Sequence, residues 1–333
     1  MFNIFKNINL NYIKKKFISL GSAFLLTSIL PVTTVVIRGM SEEPKEEKKI
    51  KVYDSSCNKD IEISLEELLV GALAGEMPIT WHMEALKAQV AAIHSYFLYQ
   101  NEINSSLDLN YKKGSYIKHF VYISLEKRKE RWGEKFEEYE QKVQNAVNAV
   151  KNQVLYYNNK PILAMFFSCC YKNTVPYSAV SSQDFPYLTE VESPEYNFMN
   201  LEKSFEISKS DMAKILKEKF SDNNFSQKLD ITDPKDWFEI LETRSNGYVL
   251  KLKILDKKMT GYNFRHMIGT MKVRSANFVI NYDSEKEIFL IKALGFGHYF
   301  GMSQYGAKFM ADQGYTYDKI LLHYYPNAEI RQI

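Results

Sequence analysis

The sequence predicts an α+β fold for residues 51–333, with helices and antiparallel strands arranged around a cleft. Three observations predict it. Apolar residues recur at helical spacing between residues 65 and 97 and again between 125 and 153. Strand patterns follow at "YVLKLKIL" and in "NFVINYDSEKEIFLIKA", which reads as a hairpin. Strands and helices do not alternate regularly and no internal repeat is visible, which argues against a parallel α/β sheet. At 333 residues the chain buries a sizeable core as one large domain or two medium ones.

Taken in order, residues 1–16 form a basic segment ending in Lys14, Lys15 and Lys16, which the positive-inside rule places in the cytoplasm. Residues 17–37 hold 21 positions without a charge, long enough to cross a hydrocarbon core of about 30 Å as a helix. Pro31 is tolerated in such a helix. A cleaved signal peptide is the alternative, but "VVIRGMSEEPKEEKK" offers no good small-x-small site, so an uncleaved transmembrane anchor is expected. Residues 38–50 are charged and poor in apolar side chains, and read as a solvated tether. The formal net charge is +3; without Lys6, Lys14, Lys15 and Lys16, residues 17–333 carry −1. Net charge therefore gives no support for a nucleic-acid partner. Cys57, Cys169 and Cys170 allow three pairings for one disulfide, and the adjacent pair reads equally as two buried thiols.

In the exported part, "KVYDSS" and "IEIS" read as short strands, and Ser64-Leu65-Glu66-Glu67 as a capping box that opens a helix. Pro78 stops that helix. In the next one Leu86, Val90, Ile93 and Phe97 form a single apolar stripe, and Ala85, Ala88, Ala91 and Ala92 admit a close neighbour. The charged stretch 125–153, with Phe136, Tyr139, Val143, Ala146 and Val150 on one face, predicts one long solvated amphipathic helix. "QVLYYNNKPILAMFF" predicts a hairpin with an Asn-Asn turn. Residues 210–245 are polar and lean towards helix, with no assignable chemistry.

Two places hold candidate chemistry. Glu76, in "AGEMP", sits at the corner between two helices, where burial raises a carboxyl pKa. Near the C-terminus, Gly295, Gly297 and Gly301 allow a tight turn around His298, and Ser303 is placed to cap the helix that Gly314 closes. His298 is open to two readings, a structural turn residue or, with Ser303, Gln304 and Tyr305, one wall of a polar cleft able to hydrogen-bond sugars.

These segments together resemble the stage II sporulation protein D family. "GEMP" and "LKAQVAAIHSY" stand where the family has a Glu-x-Pro corner and a "LKAQAVAARTY"-like helix. "TGYNFRHMIGTMKVRSANFVI" resembles its "G-x-x-fR…lrS-x-xF" segment, and "GHYFGMSQYGAKFMADQGYTYDKILLHYYPNAEI" its "GHGVGMSQWGA"-like ending. The resemblance spans about residues 60 to 330. It implies a peptidoglycan lytic transglycosylase acting in spore engulfment, anchored in the mother-cell membrane and facing the septal wall. The implied substrate is the glycan strand, preferably stripped of stem peptides and cut between N-acetylmuramic acid and N-acetylglucosamine. The implied partners are an amidase–endopeptidase and a polytopic membrane protein. By position it implies Glu76 as the catalytic acid and base, and His94, Ser168, His298, Ser303, Gln304 and Tyr305 as substrate-binding residues.

The sequence departs from the family where substrate would lie. His94 replaces an Arg, and "SCCYK" replaces an "STSGG"-like stretch, keeping Ser168 but putting Tyr171 and Lys172 for two glycines. Some members carry a zinc site with a Cys-x5-Cys pair; the corresponding "YKKGSYIKHFVYIS" has His119 but no cysteine, so neither a metal nor another cofactor is expected. The alternatives to an enzyme are a catalytically weak or inactive glycan-binding scaffold and an amidase enhancer.

Overall fold

The computed structural model describes residues 49–54, 59–107, 121–197 and 199–333. The basic segment, the anchor expected at 17–37 and most of the tether lie outside these, as do Cys57 and His119. Among the described residues no helix is long and apolar enough to cross a membrane.

Strands β1 (Ile50–Asp54) and β2 (Lys59–Ile63) pair antiparallel and lead into helix α1 (Leu65–Glu76). Ser64 caps α1 as its sequence predicts, accepting the Glu67 N–H at 3.1 Å. The reciprocal half of the box is not made, because the Glu67 carboxylate is taken by Tyr122 and Arg128. Met77 turns extended ahead of Pro78 and ends the helix. In α2 (Met83–Leu107) the predicted stripe is buried, and the four alanines let α1, the later helix 136–150 and the C-terminal helices close on it.

The charged stretch departs from expectation. It forms two helices, α3 (Leu125–Trp132) and α4 (Phe136–Val150), joined by a 3-10 turn in which Gly133 has φ +50°. Val143, Ala146 and Val150 are buried as their spacing predicts, but so is Arg128. Its guanidinium forks onto Glu67 (2.8 and 3.1 Å) and Glu140 (two bonds of 2.9 Å), tying α1, α3 and α4 together.

Asn158 and Asn159, both at positive φ, turn β3 (Gln153–Tyr157) into β4 (Lys160–Pro161). The predicted hairpin stops there, and β5 (Phe166–Phe167) joins a different sheet. The second half contains β6 (Glu202–Ser208), α5 (Lys209–Lys219), α6 (Asn223–Ile231), β7 (Phe238–Thr243), β8 (Val249–Ile254), β9 (Lys257–Met259), α7 (Gly261–Ile268), β10 (Phe278–Asp283) and β11 (Ile288–Leu294). Two three-stranded antiparallel sheets result, β7-β8-β9 and β10-β11-β6. The helix-leaning reading of 210–245 holds to residue 231 but not at β7, whose solvent-exposed residues lack the apolar alternation that marks a strand. Last come β12 (Met302–Ser303), α8 (Gln304–Asp312), α9 (Tyr317–Tyr324) and β13 (Glu329–Gln332), which pairs with β3.

Helices and antiparallel sheets thus form the predicted α+β fold, with one parallel pair, β5 with β12. One apolar core lies among α1, α2, α4, α8 and α9, and a second beneath the two three-stranded sheets. Met165 and Tyr177 pack against both, so the β5–β12 pair lies along the seam between them.

Candidate active site at the helix corner

Glu76 is held from two sides at the end of α1. Gly71 and Gly75, one turn apart, leave that side of the helix bare. A Cβ on Gly75 would stand 1.9 Å from the Val121 carbonyl oxygen, and one on Gly71 would stand 2.3 Å from the Tyr122 ring. The extended segment 121–123 lies directly against the helix, where Ile123 N–H donates to the Gly71 carbonyl and Val121 N–H to Glu76 Oε1 at 3.0 Å. Opposite, Gln304 at the start of α8 donates Nε2 to the Glu76 carbonyl oxygen at 3.0 Å, and its side chain lowers the pKa of the carboxyl group.

Burial raises the Glu76 pKa above the ordinary carboxylate value; the Val121 N–H and the Gln304 side chain pull it part of the way back. A carboxyl group so held retains a proton nearer neutral pH and keeps hydrogen-bond partners for its ionised form. That is the requirement on a group that first gives and then takes a proton.

The rest of the corner is aromatic and amide-rich. Trp81, just past the Pro78 break, meets Tyr305 edge-on at 4.8 Å between ring centroids. Tyr305 is 36% exposed, and its N–H donates to the Ser168 carbonyl. Gln89 on α2 lies fully buried behind Gln304, with Oε1 3.5 Å from Gln304 Nε2 and its own Nε2 without a partner among the described residues. The structure therefore gathers Glu76, Ser168, Gln304 and Tyr305, with Trp81 and Gln89 beside them.

The other predicted residues stand elsewhere. Ser303 is completely buried beneath the corner. It caps α8 through the Gly306 N–H, as its sequence position predicts, and donates to Glu195 Oε1 at 2.6 Å. Glu195, which sequence reasoning passed over, also accepts from the Cys170 N–H and the Ser193 hydroxyl, so this buried carboxylate is fully committed to donors. Cys169 and Cys170 are buried free thiols, and burial pushes the Cys169 pKa up to about 11.

His94 is buried in the core, and neither ring nitrogen has a hydrogen-bond partner of good geometry among the described residues. Burial pushes its pKa down to about 4, against a pull from the Lys151 backbone. Such a ring belongs to the core packing and is out of reach of a ligand. His298 lies at the far end of the turn into β12, against Phe167 and Phe300, and makes no hydrogen bond to Glu76. Its Nδ1 accepts the Phe300 N–H at 3.0 Å. Burial, then the nearby Arg265 charge, drives its pKa down to about 3, so it is neutral at physiological pH.

The family described as Stage II sporulation protein matches residues 53–157. Stage II sporulation protein D of Bacillus amyloliquefaciens is 32% identical over 289 residues, covering 85% of this chain and 78% of its own length. That of Bacillus subtilis (strain 168) is 33% identical over 290 residues, covering 85% and 79%. A protein named Amidase enhancer from the same strain is 27% identical over 303 residues, covering 79% of this chain and 40% of its own length.

Proposed function

Since the chain belongs to the stage II sporulation protein D family, we propose that it works on the cell wall during sporulation, as a lytic transglycosylase with Glu76 as its one catalytic carboxyl group. The observation that carries this reading is the pairing at Glu76 of a burial-raised pKa with donors for the ionised form.

Most glycosidases need a second carboxylate, as base or nucleophile. Lytic transglycosylation does not, because the attacking group is the C6 hydroxyl of the same N-acetylmuramic acid, which is held at high effective molarity. Protonated Glu76 gives its proton to the glycosidic oxygen as the C1–O bond to the leaving N-acetylglucosamine breaks. The C6 oxygen then bonds to C1, closing the 1,6-anhydro ring, and its proton passes to the Glu76 carboxylate. The acid is regenerated and no water is consumed. Val121 N–H and Gln304 stabilise the ionised intermediate state of Glu76, and Trp81 with Tyr305 offers aromatic faces to the sugars.

Incubating the protein with peptide-free glycan strands tests the reading. Release of anhydro-terminated products supports it. Binding without products supports a scaffold instead, and stimulation of an added amidase supports an enhancer, the reading favoured by the relative of that name.

A further inference from the structure

Gln89 stands on α2 next to the buried Ala88 and Val90 and is itself fully buried. Its two polar ends differ. Oε1 faces Gln304 Nε2 at 3.5 Å, while its own Nε2 meets no acceptor among the described residues. A buried donor left without a partner is costly, and an apolar side chain at this place would avoid it. Ser95, further along the same helix, shows the ordinary solution. Its hydroxyl donates to the Ala91 carbonyl and accepts the Leu155 N–H.

What Oε1 faces explains the orphaned donor. An amide has nearly the same shape either way round, so packing alone does not choose which end of Gln304 is presented to the corner. The oxygens around it do. Gln304 Nε2 lies against two of them, the Glu76 carbonyl at 3.0 Å and Gln89 Oε1 at 3.5 Å. Turned over, Gln304 would set its own oxygen against both. Turning Gln89 over instead would set donor against donor. The two amides thus fix one another, and the unpartnered Nε2 of Gln89 is the consequence. Charged groups take no part. Arg131 on α3 donates to the Ala74 carbonyl and Lys142 on α4 to the Trp81 carbonyl, and the groups that act on the Glu76 carboxyl besides its burial are the Val121 N–H and Gln304.

We propose that Gln89 is a positioning residue that locks the Gln304 amide with its N–H end towards Glu76, so that the corner is built to receive a carboxylate. The inference rests on the reading of Glu76 as the group that gives and then takes a proton. Between the two transfers the carboxylate is ionised. An N–H end stabilises that form and an oxygen end repels it. Gln89 does this through Gln304, without contact to the substrate.

The test is the pH dependence of urea unfolding of the full chain in detergent. Each protein is compared with its counterpart carrying Glu76→Gln, and the difference isolates the contribution of that carboxyl group. Because the folded pKa is raised, this contribution is present below the unfolded value, falls as pH rises, and levels off above the folded value. Gln89→Met is expected to move the levelling point to higher pH, in the same direction as Gln304→Leu and by no more than it. In a Gln304→Leu background, Gln89→Met should move it no further. A levelling point that Gln89→Met leaves in place overturns the proposal, and a loss of stability without movement would mark Gln89 as purely structural. A movement that persists undiminished in the Gln304→Leu background overturns it too, since Gln89 would then act by another route. If Gln89→Met does not fold, Gln89→Asn, which keeps the amide but withdraws it by one methylene, decides by the same two comparisons. Because the readout is stability, a failure to release anhydro ends would sink the enzymatic reading and leave this result standing.

Discussion

Exchanging the Glu76 carboxyl for an amide removes its proton while keeping its shape, which separates chemistry from packing. A general acid/base contributes roughly 10²–10⁴-fold, so Glu76→Gln is expected to lower release of anhydro ends by at least about a hundredfold. Its stability should not fall. A carboxyl whose folded pKa is raised contributes most below its unfolded value, and that contribution is lost as pH rises through the folded value. At neutral pH the ionised form therefore opposes folding, and Gln removes that opposition. Thermal melting at pH 7 should show an unchanged or higher midpoint; a lower one would mean that Glu76 is a structural anion. Gln304 gives the complementary experiment. Its side chain pulls the Glu76 pKa down, so Gln304→Leu should raise it and move the alkaline limb of the pH–rate profile to higher pH. Glu76 was legible as a candidate acid because its residue type, the helix period before it and Pro78 after it are local signals. Trp81 carried an equally local signal, an aromatic three residues past Pro78. Glu195 did not, and Gln89, although it stands inside the quoted "LKAQVAAIHSY", gave no sign of its role: what each does depends on what is buried beside it, and burial of a polar group is a property of the assembled fold.

At the scale of elements, the corner at Glu76 depends on a crossing that no local pattern announces. Segment 121–123 reaches Glu76 across 45 residues of sequence, and what permits it is the absence of side chains at Gly71 and Gly75. Gly75→Ala puts a methyl group into the Val121 backbone. Overpacking of this kind costs about 1–3 kcal/mol, and the displaced segment would take the Val121 N–H away from Glu76. Activity should fall by more than the loss of folded protein explains, and the Glu76 limb of the pH profile should shift upward, because a donor to its ionised form is gone. Denaturant titration alongside the rate measurement separates the two. Arg128 shows the other limit of pattern reading. A charged stretch normally faces water, so "LEKRKERW" reads as a solvated surface, yet its central guanidinium is the joint of three helices. Arg128→Met strands Glu140 almost fully buried and Glu67 partly so, and should cost about 3 kcal/mol in urea unfolding. By contrast the Asn158-Asn159 turn, the Ser64 and Ser303 caps and the β10–β11 hairpin were readable because turn and cap chemistry is satisfied within a few residues.

For the whole molecule, residues 49–333 form one compact unit in which both cores flank the seam. The class of fold was legible from the distribution of periodicities; the parallel β5–β12 pair was not, since it joins two-residue strands 136 positions apart. Where this unit works depends on the segment before it. An uncharged run of 21 residues behind three consecutive lysines leads us to propose a single-pass anchor with the N-terminus inside and the folded unit outside. The tether is only 13 residues, about 45 Å if fully extended. The site would then act on glycan close to the membrane surface. Protease added to protoplasts should therefore remove the region beyond residue 40 and leave a short membrane-bound stub, recovered in the pellet after a high-salt wash. Full protection would mean the opposite orientation. Release of the intact unit into the medium, with a new N-terminus just after residue 37, would mean a cleaved signal peptide. Lengthening the tether with a flexible insert gives a further reading of the same arrangement. If the anchor limits the reach of Glu76, the longer chain should release anhydro ends from a thicker layer of isolated wall, at an unchanged rate on soluble strands.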